Sequence, residues 1–75
     1  MLFIIRIYKR NNPLDVEEAI DELKTFYYKK EEIIGSKKVI GWKLETFNWE
    51  NFKFMQKLLN EAKIEYWQTS ELMDY

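Results

Sequence analysis

The chain of 75 residues has no cysteine, no histidine, one proline and two glycines. Lack of cysteine excludes a disulfide framework and any thiolate metal site, and nothing argues for an oxidising compartment. With histidine also missing and serine and threonine scarce, the groups that usually perform nucleophilic and acid–base catalysis are not at hand. The expectation is a protein that is not an enzyme and needs no cofactor or metal. Long hydrophobic runs are missing too. The N-terminal apolar stretch is broken by Arg6, well short of the roughly 20 residues of a membrane span. Its charges follow the apolar residues, the reverse of a signal peptide, so a cytoplasmic location without membrane contact is expected. Charge of one sign is likewise not in excess: 12 Lys and Arg against 13 Asp and Glu leave a net −1, a field that neither recruits nor forbids nucleic acid.

Aromatic residues are abundant, at 17% of the chain. A domain this short buries only about 60% of the surface that its unfolded chain exposes, so each large apolar side chain counts in a thin core. No linker, repeat or low-complexity run interrupts the chain, and residues 1–75 read as one domain. Lysine is favoured over arginine, and Ile, Asn, Tyr and Phe are frequent. All of these have AT-rich codons, as in a low-GC bacterium or its phages.

Residues 2–8, LFIIRIY, are short and rich in Ile and aromatics, which reads as a central strand. Asp15 with Glu18 has the spacing of a capping box, and Leu14 with Ala19 that of a hydrophobic staple. The helix they open carries Val16, Ala19, Ile20, Leu23, Phe26, Tyr27 and Ile34 on one face and extends to the low thirties, with Gly35 beyond its end. The competing reading stops it near Lys30 and makes residues 32–34 a short strand, hairpinned through Gly35 and Ser36. Residues 38–47 alternate, with Ile40, Trp42 and Leu44 on the apolar face. Asn48 is a good N-cap for a second helix reaching about Ala62, stapled by Phe47 and Phe52, with Phe52, Met55, Leu58, Leu59 and Ala62 inward. Residues 63–68 read as a last strand with Ile64 and Tyr66 on one face and Trp67 on the other, and Ser70 as the cap of a terminal turn. The fold class is therefore α+β: an open sheet of three strands, or four if residues 32–34 form one. Two helices on one face in β-α-β-α-β order give it the style of a ferredoxin-like unit.

Packing accounts for Phe26, Tyr27, Trp42, Phe47 and Phe52, which fall on apolar stripes or staple positions. It does not account for Tyr28, Trp49, Phe54, Trp67 and Tyr75. On a wheel of about 100° per residue, Trp49 and Phe54 lie about 100° or more from the second helix's apolar centre. These five are the candidate protein-binding residues, since Trp and Tyr combine large area with a polar handle. Basic residues beside aromatics make Lys9, Arg10, Lys37 and Lys38 candidates for nucleic acid instead, by phosphate contact and base stacking. The acids Asp15, Glu17, Glu18, Asp21 and Glu22 fit a solvated helix start better than a cation site.

Phe3 and Tyr8 in the first strand resemble the stacking strand of an RNA-recognition fold, although that fold's glycine–aromatic motif is missing. An uncovered sheet edge, above all the one carrying Trp67 before the tail Glu71 to Tyr75, invites self-association or an added strand. In size, composition and lack of motifs the chain resembles the small proteins of phages and other mobile elements. That likeness implies an inhibitor of a host factor or defence system, anti-CRISPR proteins included. A nucleic-acid-binding protein and a homodimeric structural module are the alternatives.

Overall fold

The computed structural model describes residues 1–72, so Tyr75, with Met73 and Asp74, lies outside the described residues. Along the chain run β1 (Leu2–Tyr8), a 3₁₀ turn (Lys9–Asn11), α1 (Val16–Glu22), β2 (Lys29–Gly35), β3 (Lys38–Thr46), α2 (Trp49–Glu61) and β4 (Trp67–Glu71). The four strands form one antiparallel sheet in the order β2-β3-β1-β4. No helix among the described residues is long and apolar enough to cross a membrane.

Strand β1 lies centrally, as its two apolar faces require. Its odd residues Phe3, Ile5 and Ile7 pair with Thr46, Leu44 and Trp42 of β3. The apolar residues of this face cluster with Val16 and Ile20 of α1 and with Phe52, Met55 and Leu59 of α2. Both helices therefore pack on this side. The opposite face carries Leu2, Ile4, Arg6 and Tyr8 of β1, flanked by Glu45, Lys43 and Gly41 of β3 and by Glu71, Thr69 and Trp67 of β4. Ile4 is fully buried there although it belongs to no helix-side cluster.

In the first half of the chain three expectations fail, the long first helix, its capping box and its staple, while the four-stranded alternative is met. α1 ends at Glu22 rather than at Lys30 or Ile34, and the fourth strand is real and longer than residues 32–34. Leu23, Phe26 and Tyr27 do reach the core, but through turns: the Leu23 N–H donates to Ile20 and the Phe26 N–H to Leu23. Pairing with β3 overrides a weak helical preference in a segment rich in Phe, Tyr and Ile. Asp15 makes no side-chain cap hydrogen bond and Leu14 is fully exposed, so neither capping box nor staple forms.

In β3 the pairing passes from Ile33↔Gly41 to Ile34↔Val39 and skips Ile40. This bulge breaks the two-residue alternation: Val39 packs against the core, while Ile40, expected beside Trp42, is exposed. Gly41 sits at the break, where a Cβ would come 2.3 Å from the Ile7 carbonyl oxygen. Ser36 and Lys37, at φ 50° and 65°, make the two-residue hairpin turn between β2 and β3. Both φ values are positive, as in a type I′ turn.

The second half follows the sequence more closely. Asn48 caps α2 by accepting from the Asn51 N–H at 2.9 Å. The helix closes with the Lys63 N–H donating to Asn60 and the Ile64 N–H to Leu59, with Lys63 at φ 58°. This is a Schellman closure with lysine where glycine is usual. It turns Ile64 into the core, so Ile64 and Tyr66 pack from a loop instead of the expected strand. β4 starts only at Trp67, and Ser70 lies within it rather than capping a turn.

Candidate functional site

Three of the expected binding aromatics lie toward the end of the sheet where β2 begins and β3 runs into α2, each against a different neighbouring ring. Tyr28 is fixed by its N–H donating to the Glu45 carbonyl at 2.9 Å, and its ring stacks on Phe47 at 5.1 Å. Trp49, in the first turn of α2, leans on Phe3 at 5.2 Å and on Phe52 at 5.8 Å. Phe54 stacks on Phe26 at 4.9 Å. Each ring thus rests on a neighbour and turns its other side outward, with 59%, 54% and 46% of Tyr28, Trp49 and Phe54 exposed. Trp49, Glu50, Lys53, Phe54 and Lys57 line a shallow cleft of about 420 Å³. Lys53 Nζ stands 5.4 Å from the Trp49 ring and Lys57 Nζ 5.9 Å from the Phe54 ring.

Phe47 belongs to this group, contrary to its expected place in the core. It follows the last residue of β3, where the chain swings out to the Asn48 cap, so it overshoots the core and is 48% exposed. Instead of stapling Phe52, it stacks on Tyr28, while Phe52 stacks on Phe3 at 4.8 Å. A stripe drawn along one helix cannot reveal a contact made across the sheet. The only available signal was that Phe47 directly precedes a strong N-cap.

Trp67 stands apart. It opens β4 opposite Arg6, on the face turned away from the helices, and is 66% exposed. Of the two residues that resemble a stacking strand, Tyr8 shares that face, but Phe3 points into the helix-side core and is not available to a base.

The basic candidates gather at the other end of the sheet. The Tyr8↔Gly41 pair sets the 3₁₀ turn beside the start of β3. Tyr8, Lys9, Arg10, Asn11, Lys38, Val39 and Ile40 line a cleft of about 530 Å³. Lys37 sits in the adjoining hairpin turn. Among the described residues none of Lys9, Arg10, Lys37 and Lys38 is in a salt bridge. Lys9 Nζ lies 5.3 Å from the Trp42 ring, so part of its role is to cover that core tryptophan.

Ion pairing is concentrated on the open face of the sheet. Lys29 Nζ is 2.6 Å from Glu31, which raises the lysine pKa and lowers that of the glutamate, the shared hydrogen bond being the larger cause in each. Glu45 is buried between Lys43 at 3.4 Å and Lys29 at 3.8 Å, and its Oε2 accepts no hydrogen bond among the described residues. Among the described residues no group of three or more Asp and Glu side chains is placed to hold a metal ion. Comparison of the chain with protein-family models, with curated proteins and with solved structures finds no match.

Proposed function

We propose that the protein is a non-enzymatic module that binds another protein through Tyr28, Phe47, Trp49 and Phe54. The observation that carries this reading is that four half-exposed aromatics lie toward one end of the sheet, each held against another ring: Tyr28 and Phe47 stacked on one another, Phe54 stacked on Phe26, and Trp49 tilted against Phe3. Rings already held in one orientation lose little conformational entropy on binding, and aromatic anchors supply much of the energy of protein interfaces. Lys53 and Lys57 beside Trp49 and Phe54 suit a partner that offers apolar side chains flanked by carboxylates. The β-α-β-β-α-β order and the sheet order β2-β3-β1-β4 support a ferredoxin-like scaffold beneath this surface.

Small size, lack of motifs and cysteine-free composition support an inhibitor acting in the cytoplasm on a host factor or defence system, of the kind that phages and mobile elements encode, anti-CRISPR proteins included. Self-association has its own supporting observation. β4 is an edge strand whose five residues are all exposed and carry one charge, whereas the β2 edge begins with four consecutive charged residues. Such a charge run discourages edge-to-edge pairing.

The test uses the tagged chain as bait in host lysate, beside Trp49→Ala and Tyr28→Ala variants shown by circular dichroism to keep their fold. A protein retained by the parent and lost from both variants is the expected result. If every captured protein binds parent and variants alike, this surface is not the contact. Sedimentation velocity at micromolar concentration separates the dimer from the monomer.

A further inference from the structure

The charges of this nearly neutral chain are strongly segregated. Residues 1–14 contain Arg6, Lys9 and Arg10 and no acid, and residues 33–44 contain Lys37, Lys38 and Lys43 and no acid. Every Asp and Glu lies elsewhere in the sequence. The antiparallel pairing of β1 with β3 brings these two acid-free segments together. This gathers basic side chains at the end of the sheet where β1 stops and β3 begins, with Glu65 held beside Asn12 and the acids at the start of α1 following from Asp15.

On the open face, this end also carries aromatics. Trp67 pairs across from Arg6, and Tyr8 is two residues further along β1. Trp67 and Tyr8 are therefore diagonal neighbours on one face, a relation that spans about 7–8 Å. The Arg6 guanidinium is held by donating to Thr69 Oγ1 at 3.0 Å and has no carboxylate partner among the described residues. Beside this face two clefts share Asn11: one of about 530 Å³ holds Tyr8, Arg10 and Lys38 together with Lys9 and Val39, and the other, of about 600 Å³, runs along the β4 edge from Trp67 to Asn60 of α2. A single acid, Glu65, lines the second and none lines the first.

The hairpin turn gives an independent reason. Positive φ at two successive residues favours Asn-Gly, yet Ser36 and Lys37 occupy these positions. A lysine is thus held at the tip in a backbone conformation that glycine would adopt without strain.

We propose that this end of the open sheet face binds single-stranded nucleic acid, with bases stacking on Trp67 and Tyr8 and phosphates held by Arg6, Arg10, Lys37 and Lys38. Four cations spread over β1, the 3₁₀ turn and the hairpin suit a chain of phosphates better than one anion. Aromatic faces with few fixed hydrogen-bonding groups suit bases of any sequence. A duplex keeps its bases stacked inside and offers these rings little. The site is separate from the Tyr28–Trp49–Phe54 surface and does not depend on it.

The experiment is fluorescence anisotropy of labelled oligo(dT) and oligo(U) of about 12 nucleotides, a length within the range that single-strand sites cover. The full chain is titrated in, with a duplex, a polyglutamate competitor and a Trp49→Ala variant as controls. Four phosphate contacts predict that affinity falls about 50-fold between about 50 and 200 mM salt, from a slope of about −0.7 per phosphate contact. Trp67→Ala weakens binding by about 5- to 150-fold at constant salt. Lys37→Gly is the decisive variant: it raises the melting temperature by relieving the turn, yet weakens binding and flattens the salt slope by about 0.7. Trp49→Ala binds as the parent does. Absence of binding at low salt overturns the proposal, as does indifference to Trp67→Ala. Equal competition by polyglutamate also overturns it and assigns the end to acidic protein segments.

Discussion

Asn12 ties two distant parts of the chain together, and its removal gives the sharpest test of how the loops are held. Its Nδ2 donates to the Tyr8 carbonyl at 2.7 Å and to the Glu65 carbonyl at 3.1 Å, and its Oδ1 accepts from the Glu65 N–H at 2.6 Å. The side chain thus latches the end of β1 to the loop before β4. Asn12→Ala removes all three bonds and leaves a part-buried carbonyl without that partner. Each such bond contributes about 0.5–1.5 kcal/mol net. Two of the three are exposed, which places the total near 2 kcal/mol. In a domain of this length that lowers the melting temperature by about 8–16 °C. Asn11→Ala is the control, because Asn11 is exposed and its side chain makes no hydrogen bond among the described residues; its effect stays within about 0.5 kcal/mol. Calorimetry at pH 7 reads both, and amide exchange at Glu65 should accelerate in the Asn12 variant alone. If the two variants melt within about 2 °C of each other, the latch contributes nothing and the reasoning fails.

The two glycines should respond very unequally to alanine. At Gly41 the new Cβ meets backbone of the central strand, so a loss of about 3 kcal/mol or more is expected, while at Gly35 it meets only the exposed Ile40 side chain, 2.8 Å from Cδ1 and 3.2 Å from Cγ2, and costs about 1 kcal/mol by thermal melting. Glu45→Leu removes a buried carboxylate, one oxygen of which accepts no hydrogen bond among the described residues, and should be neutral or stabilising, whereas Lys43→Met leaves Glu45 with only the 3.8 Å contact to Lys29 and should cost about 1–3 kcal/mol in urea unfolding. The Lys29–Glu31 pair sets a pH dependence of known sign. The share of the depressed Glu31 is present above the ordinary glutamate range and lost as pH falls through its folded-state value, and that of the raised Lys29 is present below the ordinary lysine range and lost as pH rises through its own. Carbon-detected NMR should find the Glu31 titration moved back up in Lys29→Gln, and no movement there would break the assignment. Ser36→Asn with Lys37→Gly should stabilise the fold by about 1–2 kcal/mol in thermal melts, since asparagine and glycine tolerate the left-handed conformation of these two positions better than serine and lysine do.

What could be read from the sequence was whatever rests on local pattern. β1 shows in its run of branched and aromatic residues, and α2 in the Asn48 cap and a clean apolar stripe. Both match the structure within a residue or two. What could not be read depends on contacts between distant segments. Leu23, Phe26 and Tyr27 have helical spacing, yet the neighbour that claims the following residues is β3, which needs a partner along its outer edge. The bulge at Ile40 reverses the face of Val39, and the lysine at Lys63 hides the helix end that a glycine would have announced. The same division holds for the candidate site. Trp49, Phe54 and Tyr28 could be singled out because they lie off the apolar stripes, and all three are half exposed. Phe47 could not, because only the fold sets it against Tyr28.

Net charge is the quantity that misleads most in this chain. A value of −1 reads as an indifferent surface, but charge acts at a site over about a Debye length, roughly 8–10 Å in ordinary salt, and not over the whole molecule. β3 runs from Lys38 to Thr46, which at about 3.4 Å per residue separates its ends by about 27 Å. Its start lies with the 3₁₀ turn and the hairpin lysines, and its end with Tyr28, Phe47 and Trp49. The carboxylates of α1 and the first half of β2 lie outside the acid-free segments that meet at its start. Charges at two ends almost three Debye lengths apart are largely screened from one another, so the antiparallel register that pairs residues 3–8 with 41–46 gathers basic side chains at one end of the sheet where the net charge does not reveal them.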